Sequence, residues 1–322
     1  MLELYKGIEE DMKVVEKELQ ATLQAQDPFI TETSTHLFYA GGKRLRPALS
    51  LLGAKFCNFK LADVIPLAVA LELIHMATLI HDDVVDNSLI RRGLPTVNAK
   101  WGKATSTHIG TYLFAKSLIL ISQYEEKKPL ITKVLSDVSV KMCEGEIRQI
   151  SASFDTGQVS KDYFYRVKRK TAFLIMASVQ LGAVACGADR KTYLPLRRYG
   201  NNIGMAFQIT DDILDMVADQ SKLGKPVGGD LRQGIITLPV IIALEKSGEK
   251  KRLVELAGKM EKSEEEVQEA IEIIRSCGAI DYSFEVVNKY LSKAKEELMA
   301  LPDLPARNNL SAIADFIGIR KH

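Results

Sequence analysis

The chain has 322 residues, 46% hydrophobic and 26% charged, which is the composition of a water-soluble globular protein. Lysines and arginines number 43 against 41 aspartates and glutamates. The net charge of +2 and the few aromatics among the basic clusters argue against nucleic-acid binding, so any basic function must be local.

The N-terminus, Met1 to Glu10, has neither signal nor transit character. Leu2 to Gln24 reads as an amphipathic helix. The glycine pair Gly41-Gly42 breaks the pattern, and helices Pro47 to Cys57 and Pro66 to Asp86 follow, the latter with proline at its first helical position. Leu61 to Ile80 is the longest apolar stretch, but Asp63, Pro66, Glu72 and His75 inside it predict a buried helix and no membrane span. Further helices are expected over Thr105 to Gln123, Leu130 to Phe154, Asp162 to Cys186 and Tyr193 to Asp219. Thr237 to Lys246, Arg252 to Ala257, Glu264 to Cys277, Ile280 to Ala300 and Asn308 to Ile317 continue the pattern. Strand alternation is almost absent. Length alone would give two domains, but the even helical texture predicts one all-α domain over residues 1–322. Cys57, Cys143, Cys186 and Cys277 are scattered, form no zinc pattern and suit a reducing compartment, so a cytoplasmic location is expected.

One acidic motif occurs twice, as Asp82-Asp83-Val84-Val85-Asp86 and Asp211-Asp212-Ile213-Leu214-Asp215. Residues i and i+4 share a helix face, so Asp82 projects with Asp86 and Asp211 with Asp215. Asp83 and Asp212 sit about 100° round, placed for a second ion or a metal-bound water. Both copies lie in apolar runs, where carboxylates are costly to bury without a cation. Two carboxylates cannot cage Mg²⁺, which keeps waters and takes its other oxygens from substrate phosphate. A single acidic triplet would more readily cap a helix or pair with surface arginine. Repetition of the spacing at the ends of two apolar helices favours metal.

Basic residues answer these acids. Gly41-Gly42-Lys43-Arg44-Leu45-Arg46-Pro47 sets three cations after a flexible pair whose amides can approach an anion. Arg91-Arg92-Gly93 follows Asp86, and arginine suits phosphate because its planar fork binds two oxygens. Lys170-Thr171 lies where a helix turns apolar, Gln208 shares a face with Asp212, and Lys225 sits in a glycine-rich loop suited to a lid. Acids for metal, bases for phosphate and a greasy flank point to an apolar substrate ending in diphosphate.

These landmarks, with Glu72-Leu73-Ile74-His75, His81 and Gly224-Lys225-Pro226, resemble the trans-isoprenyl diphosphate synthases from Gly41 to the C-terminus. Within that family the chain looks most like the catalytic subunits of bacterial heptaprenyl diphosphate synthases. The resemblance implies an all-α bundle of long antiparallel helices around a deep central cavity. It implies a prenyltransferase condensing isopentenyl diphosphate with an allylic prenyl diphosphate, such as farnesyl diphosphate. Two or three Mg²⁺ ions bridged by diphosphate are the implied cofactor, held by Asp82, Asp83, Asp86, Asp211, Asp212 and Asp215. Lys43, Arg46, His75 and Arg92 would bind isopentenyl diphosphate, and Arg91, Lys170, Thr171, Gln208 and Lys225 the allylic diphosphate. The implied partner is a second copy or a small regulatory subunit, and the product would serve as a respiratory quinone side chain, as in menaquinone. Two departures stand out. Thr111 replaces an aspartate of a Gly-Asp pair that opens a helix, and Ile235 replaces a lysine before Thr-Leu-Pro.

Ala77 and Thr78 lie just before Asp82, where short-chain synthases carry an aromatic floor. Small residues there let the cavity continue towards Ile74 and Leu71. A product of six to eight isoprene units is expected, most simply heptaprenyl. The rival readings are a short-chain synthase, a class I terpene cyclase, a metal phosphohydrolase built on His81-Asp82 and a non-catalytic subunit. A cyclase has no need of the Gly41 to Pro47 loop, a phosphohydrolase wants a further upstream histidine, and a silent subunit would not keep six aspartates.

Overall fold

The computed structural model describes residues 5–217 and 227–319. Contacts divide the chain into two compact units: Met1–Ser136 with Ala177–Arg197 and Leu301–Leu310, and Asp137–Met176 with Arg198–Ala300 and Ser311–His322.

The first unit contains α1 (Glu9–Thr22), α2 (Pro28–Tyr39), α3 (Leu45–Ala54), α4 (Leu61–Val85) and α5 (Val97–Ser122), and the start of α6 (Pro129–Ser151). Helix α4 is its centre. Leu67 to Ile74 are almost wholly enclosed, with α1, α3 and α5 packed around them. Helix α4 is long and apolar enough to cross a membrane, but most of it is buried here against its neighbours. It begins at Leu61, not at Pro66 as expected, so the proline lies inside the helix. Proline has no amide hydrogen and crowds the preceding turn. The Tyr124 hydroxyl enters the ladder there, donating to the Asp63 carbonyl (2.7 Å) and accepting from the Leu67 amide (3.1 Å).

Helix α2 was not expected, because its threonines and serine hide the helical period. Its start was nevertheless encoded: Asp27 caps the Phe29 amide (2.7 Å) and Pro28 opens the first turn. Thr33 and Thr35 then spend their hydroxyls on the carbonyls of Phe29 and Thr31. Helix α1 starts at Glu9, later than the sequence predicted. Helix α5 starts at Val97 and breaks at Gly102, so Gly110-Thr111 lies in mid-helix and does not open one. Ile90–Arg91 and Leu94–Pro95 form a small antiparallel hairpin. Helix α3 crosses α8 (Phe173–Ala185) at glycines: a Cβ on Gly53 would stand 2.1 Å from the Val179 carbonyl oxygen, and one on Gly182 1.9 Å from that of Ser50.

The second unit contains the rest of α6, α7 (Ser160–Val167), a π-helical turn Lys168–Ala172 leading into α8, and most of α9 (Arg190–Val217). A single turn Gly229–Arg232 follows, then α10 (Leu238–Lys246), α11 (Lys250–Gly258), α12 (Glu264–Ser276), α13 (Ala279–Leu298) and α14 (Pro305–Ile319), whose first residues belong to the other unit. Helix α10 is its apolar core, packed on α7, α11, α12 and α13. Ser263 and Glu266 exchange hydrogen bonds at the start of α12. The architecture is all-α, as the sequence predicted.

Candidate active site

In the first unit the first acidic motif closes α4. Asp86 caps the helix in helical geometry, its amide donating to the Asp82 carbonyl (2.8 Å), so the two aspartates stand one turn apart as expected. Asp83 is 2% exposed and accepts from Arg91 Nε at 2.8 Å. The pair ties the end of the helix to the hairpin. Arg92 and Gly93 both have positive φ (53° and 79°), the turn that matches the twist of a two-residue hairpin. A hydrogen bond from Arg92 to the Gly41 carbonyl joins this turn to the basic loop. That loop needs its glycines, because Gly41 and Gly42 have φ of +80° and +148°.

The loop, the hairpin and α4 together build a cationic cluster. Arg44, nearly buried, is structural: it donates to Glu16 (3.0 Å), Glu72 (3.4 Å) and the Phe38 carbonyl (3.1 Å). Arg46 lies in the first turn of α3, where burial pulls its guanidinium down to about 10 against the opposing pull of Glu72. Its buried Nε finds no acceptor among the described residues, an unsatisfied donor that a bound anion could serve. His75 is held well below its ordinary value by burial first, then by Arg46, Arg92, Arg91 and Arg44. It is therefore a neutral donor amid guanidinium groups. Lys43 is exposed on the loop, and the Tyr5 hydroxyl donates to its carbonyl. Below this cluster Leu71, Ile74 and Ala77 are closed to solvent, while Thr78 is part-exposed and spends its hydroxyl on the His75 carbonyl (2.8 Å). Leu71, Ile74 and Thr78 share the helix face of Asp82.

In the second unit α9 carries Gln208, Asp211, Asp212 and Asp215. Asp212 is 6% exposed, and burial pushes its carboxyl up to about 6, partly offset by hydrogen bonds from Tyr163 and Gln208. Asp215 accepts from the amides of Gly229 (3.1 Å) and Asp230 (3.0 Å). Lys170 and Thr171 sit in the π-helical turn, where Gly204 of α9 approaches so closely that a Cβ would lie 2.6 Å from Ala172 Cα. Lys170 pairs with Glu146 at 2.6 Å. Lys225 and its loop lie outside the described residues. Ile235 is part-buried, and its amide donates to the Asp230 carbonyl (2.8 Å).

The donors fit a hard divalent cation. Burial first, then Asp215 and Asp212, raises the Asp230 carboxyl well above its ordinary value despite Lys170 and Arg166. These are oxygen donors only, the ligand type a hard divalent cation takes. Among the described residues no three His, Cys, Asp or Glu side chains converge on one point.

Three contributors had no role in the sequence reading. Glu72 was visible only as part of its motif with His75, yet it is the buried carboxylate facing Arg44, Arg46 and Arg92. Asp230 had a weak signal, as the acid after Gly228-Gly229. Tyr163 had none, since nothing local marks which core tyrosine meets a distant aspartate.

The polyprenyl synthetase family model matches residues 27–274. The chain belongs to that family of prenyltransferases. It is 43% identical over 317 residues, 98% of this chain and 90% of the other, to heptaprenyl diphosphate synthase component 2 of Bacillus subtilis. The crystal structure of heptaprenyl diphosphate synthase from Staphylococcus aureus matches with TM-score 0.91 at 36% identity, covering 97% of this chain and 98% of that one. A polyprenyl synthase from Caulobacter crescentus, complexed with calcium and isoprenyl diphosphate, matches with TM-score 0.93 at 36% identity, covering 99% and 97%.

Proposed function

We propose that this chain condenses isopentenyl diphosphate with an allylic diphosphate, farnesyl diphosphate as primer, to a long all-trans polyprenyl diphosphate, most simply heptaprenyl. It would do so as one working unit over its whole length, as the catalytic component of a two-component enzyme supplying a quinone side chain in the cytoplasm. The observation that carries this reading is the cationic cluster of Arg46 on α3, His75 on α4 and Arg92 on the hairpin, gathered about the helix that ends in Asp82 and Asp86. A cyclase acting on an allylic diphosphate alone has no use for such a second anion site.

Asp82, Asp83, Asp86, Asp211, Asp212 and Asp215 would hold Mg²⁺, which when bound neutralises the departing diphosphate. Arg91, Lys170 and Lys225 would add fixed positive charge around the allylic diphosphate as its bond to carbon breaks, with Thr171 and Gln208 completing that side. Lys43, Arg46, Arg92 and neutral His75 would orient isopentenyl diphosphate so that its double bond attacks the allylic carbon. The lost proton leaves to the released diphosphate. The apolar face through Thr78, Ile74 and Leu71 would receive the growing chain and keep water from the cation. The component number in the Bacillus relative's name and the 43% identity to it support a companion polypeptide.

The test is to incubate the purified chain with farnesyl diphosphate, isopentenyl diphosphate and Mg²⁺, alone and with the companion component of the Bacillus enzyme, and to size the products. Long polyprenyl products that need the companion bear the reading out. A hydrocarbon formed from allylic diphosphate alone, or no elongation in either arm, overturns it.

A further inference from the structure

In the second unit one hydrogen-bond chain joins three elements. The Tyr163 hydroxyl on α7 donates to Asp212 Oδ2 at 2.6 Å. Gln208 Nε2, one turn before Asp212 on α9, donates to Asp212 Oδ1 at 2.7 Å. Thr171 Oγ1 in the π-helical turn donates to Gln208 Oε1 at 2.7 Å. Tyr163 is wholly buried and Asp212 and Thr171 nearly so, so water cannot easily replace any link.

The direction of this chain follows from its acid. An ionised carboxylate only accepts, so Gln208 must turn its NH₂ towards Asp212 and its carbonyl towards Thr171. Thr171 has one hydroxyl proton, and that proton goes to Gln208. While the chain is intact, Thr171 can offer a neighbour lone pairs but no hydrogen.

We propose that Tyr163 is a positioning residue of the second acidic motif: with Gln208 it clamps both oxygens of Asp212, and Thr171 backs that clamp instead of donating to the diphosphate. The inference rests on the metal-diphosphate reading above and adds residues to it. Outer partners of this kind orient metal-facing carboxylates, and their loss costs about 10- to 100-fold in metal affinity.

Tyr163→Phe deletes one hydroxyl and keeps the ring. Mn²⁺ binding in the presence of inorganic diphosphate, read by electron paramagnetic resonance, should weaken about tenfold in this variant. KM for isopentenyl diphosphate should stay unchanged while kcat falls. Thr171→Val should weaken Mn²⁺ binding in the same sense, and Thr171→Ser, which keeps the hydroxyl, should restore it. Should Tyr163→Phe fail to fold, the Thr171 pair decides alone. Unaltered Mn²⁺ affinity in Tyr163→Phe and Thr171→Val overturns the clamp and leaves the reaction assignment standing. A parent protein that binds no Mn²⁺ with diphosphate removes both.

Discussion

His75 sits where burial and four arginines oppose a further positive charge. The native chain keeps it neutral at pH values where the unfolded chain, titrating near 6.5, takes up a proton. Below that pH the unfolded state binds more protons, so stability rises with pH through this window and is lost as pH falls. His75→Asn should flatten that decline in urea-unfolding free energies measured without metal; an unchanged slope would show that other groups carry it. At this scale the sequence nominated the candidate site residues, because charge repeated at fixed spacing within apolar runs is costly to bury unless a ligand balances it. It could not say that Asp83 is bound to Arg91 or Asp212 to Tyr163. Those pairings depend on which elements meet.

Among the elements, α4 does most to place the site. It carries Glu72, His75 and the first acidic motif, and its course depends on how the chain accommodates Pro66. The Tyr124 hydroxyl serves both backbone groups that the proline separates. Tyr124→Phe should therefore strand the Leu67 amide and the Asp63 carbonyl, costing about 1–3 kcal/mol by denaturant unfolding. A loss within error of zero would mean that the helix closes its own ladder there. Four residues before Asp82, Thr78 has its hydroxyl satisfied within the helix. Thr78→Phe should place an aromatic ring on the face leading to Ile74 and Leu71 and shorten the product by at least one isoprene unit. Products of unchanged length on chromatography would sink this account of chain length. The start of α4 and the whole of α2 escaped the sequence reading for one reason. Proline and β-branched residues lower local helix propensity, and here side-chain hydrogen bonds and packing overrule them.

For the whole molecule, the two acidic motifs fall in separate compact units, each with a buried aspartate, Asp83 in one and Asp212 in the other. A ligand that binds the native state alone stabilises it, by about 2.7 kcal/mol at a hundred times its dissociation constant. Mg²⁺ and inorganic diphosphate together should raise the melting temperature, while each alone does much less, because neither charge is balanced without the other. Equal shifts from diphosphate alone would argue against a metal-bridged site. Helix α6 exposes Val140, Ile147 and Ile150 at helical spacing, an apolar stripe on its surface. The sequence by itself determined the all-α class, the family and the chemistry, because helical period and charged motifs are local properties of the chain. Only the tertiary structure decided which donor meets which carboxylate, that Arg44 and Glu72 brace the basic loop, and that a tyrosine without any local signature holds the second motif. Those facts come from packing between residues far apart in sequence, which no local pattern encodes.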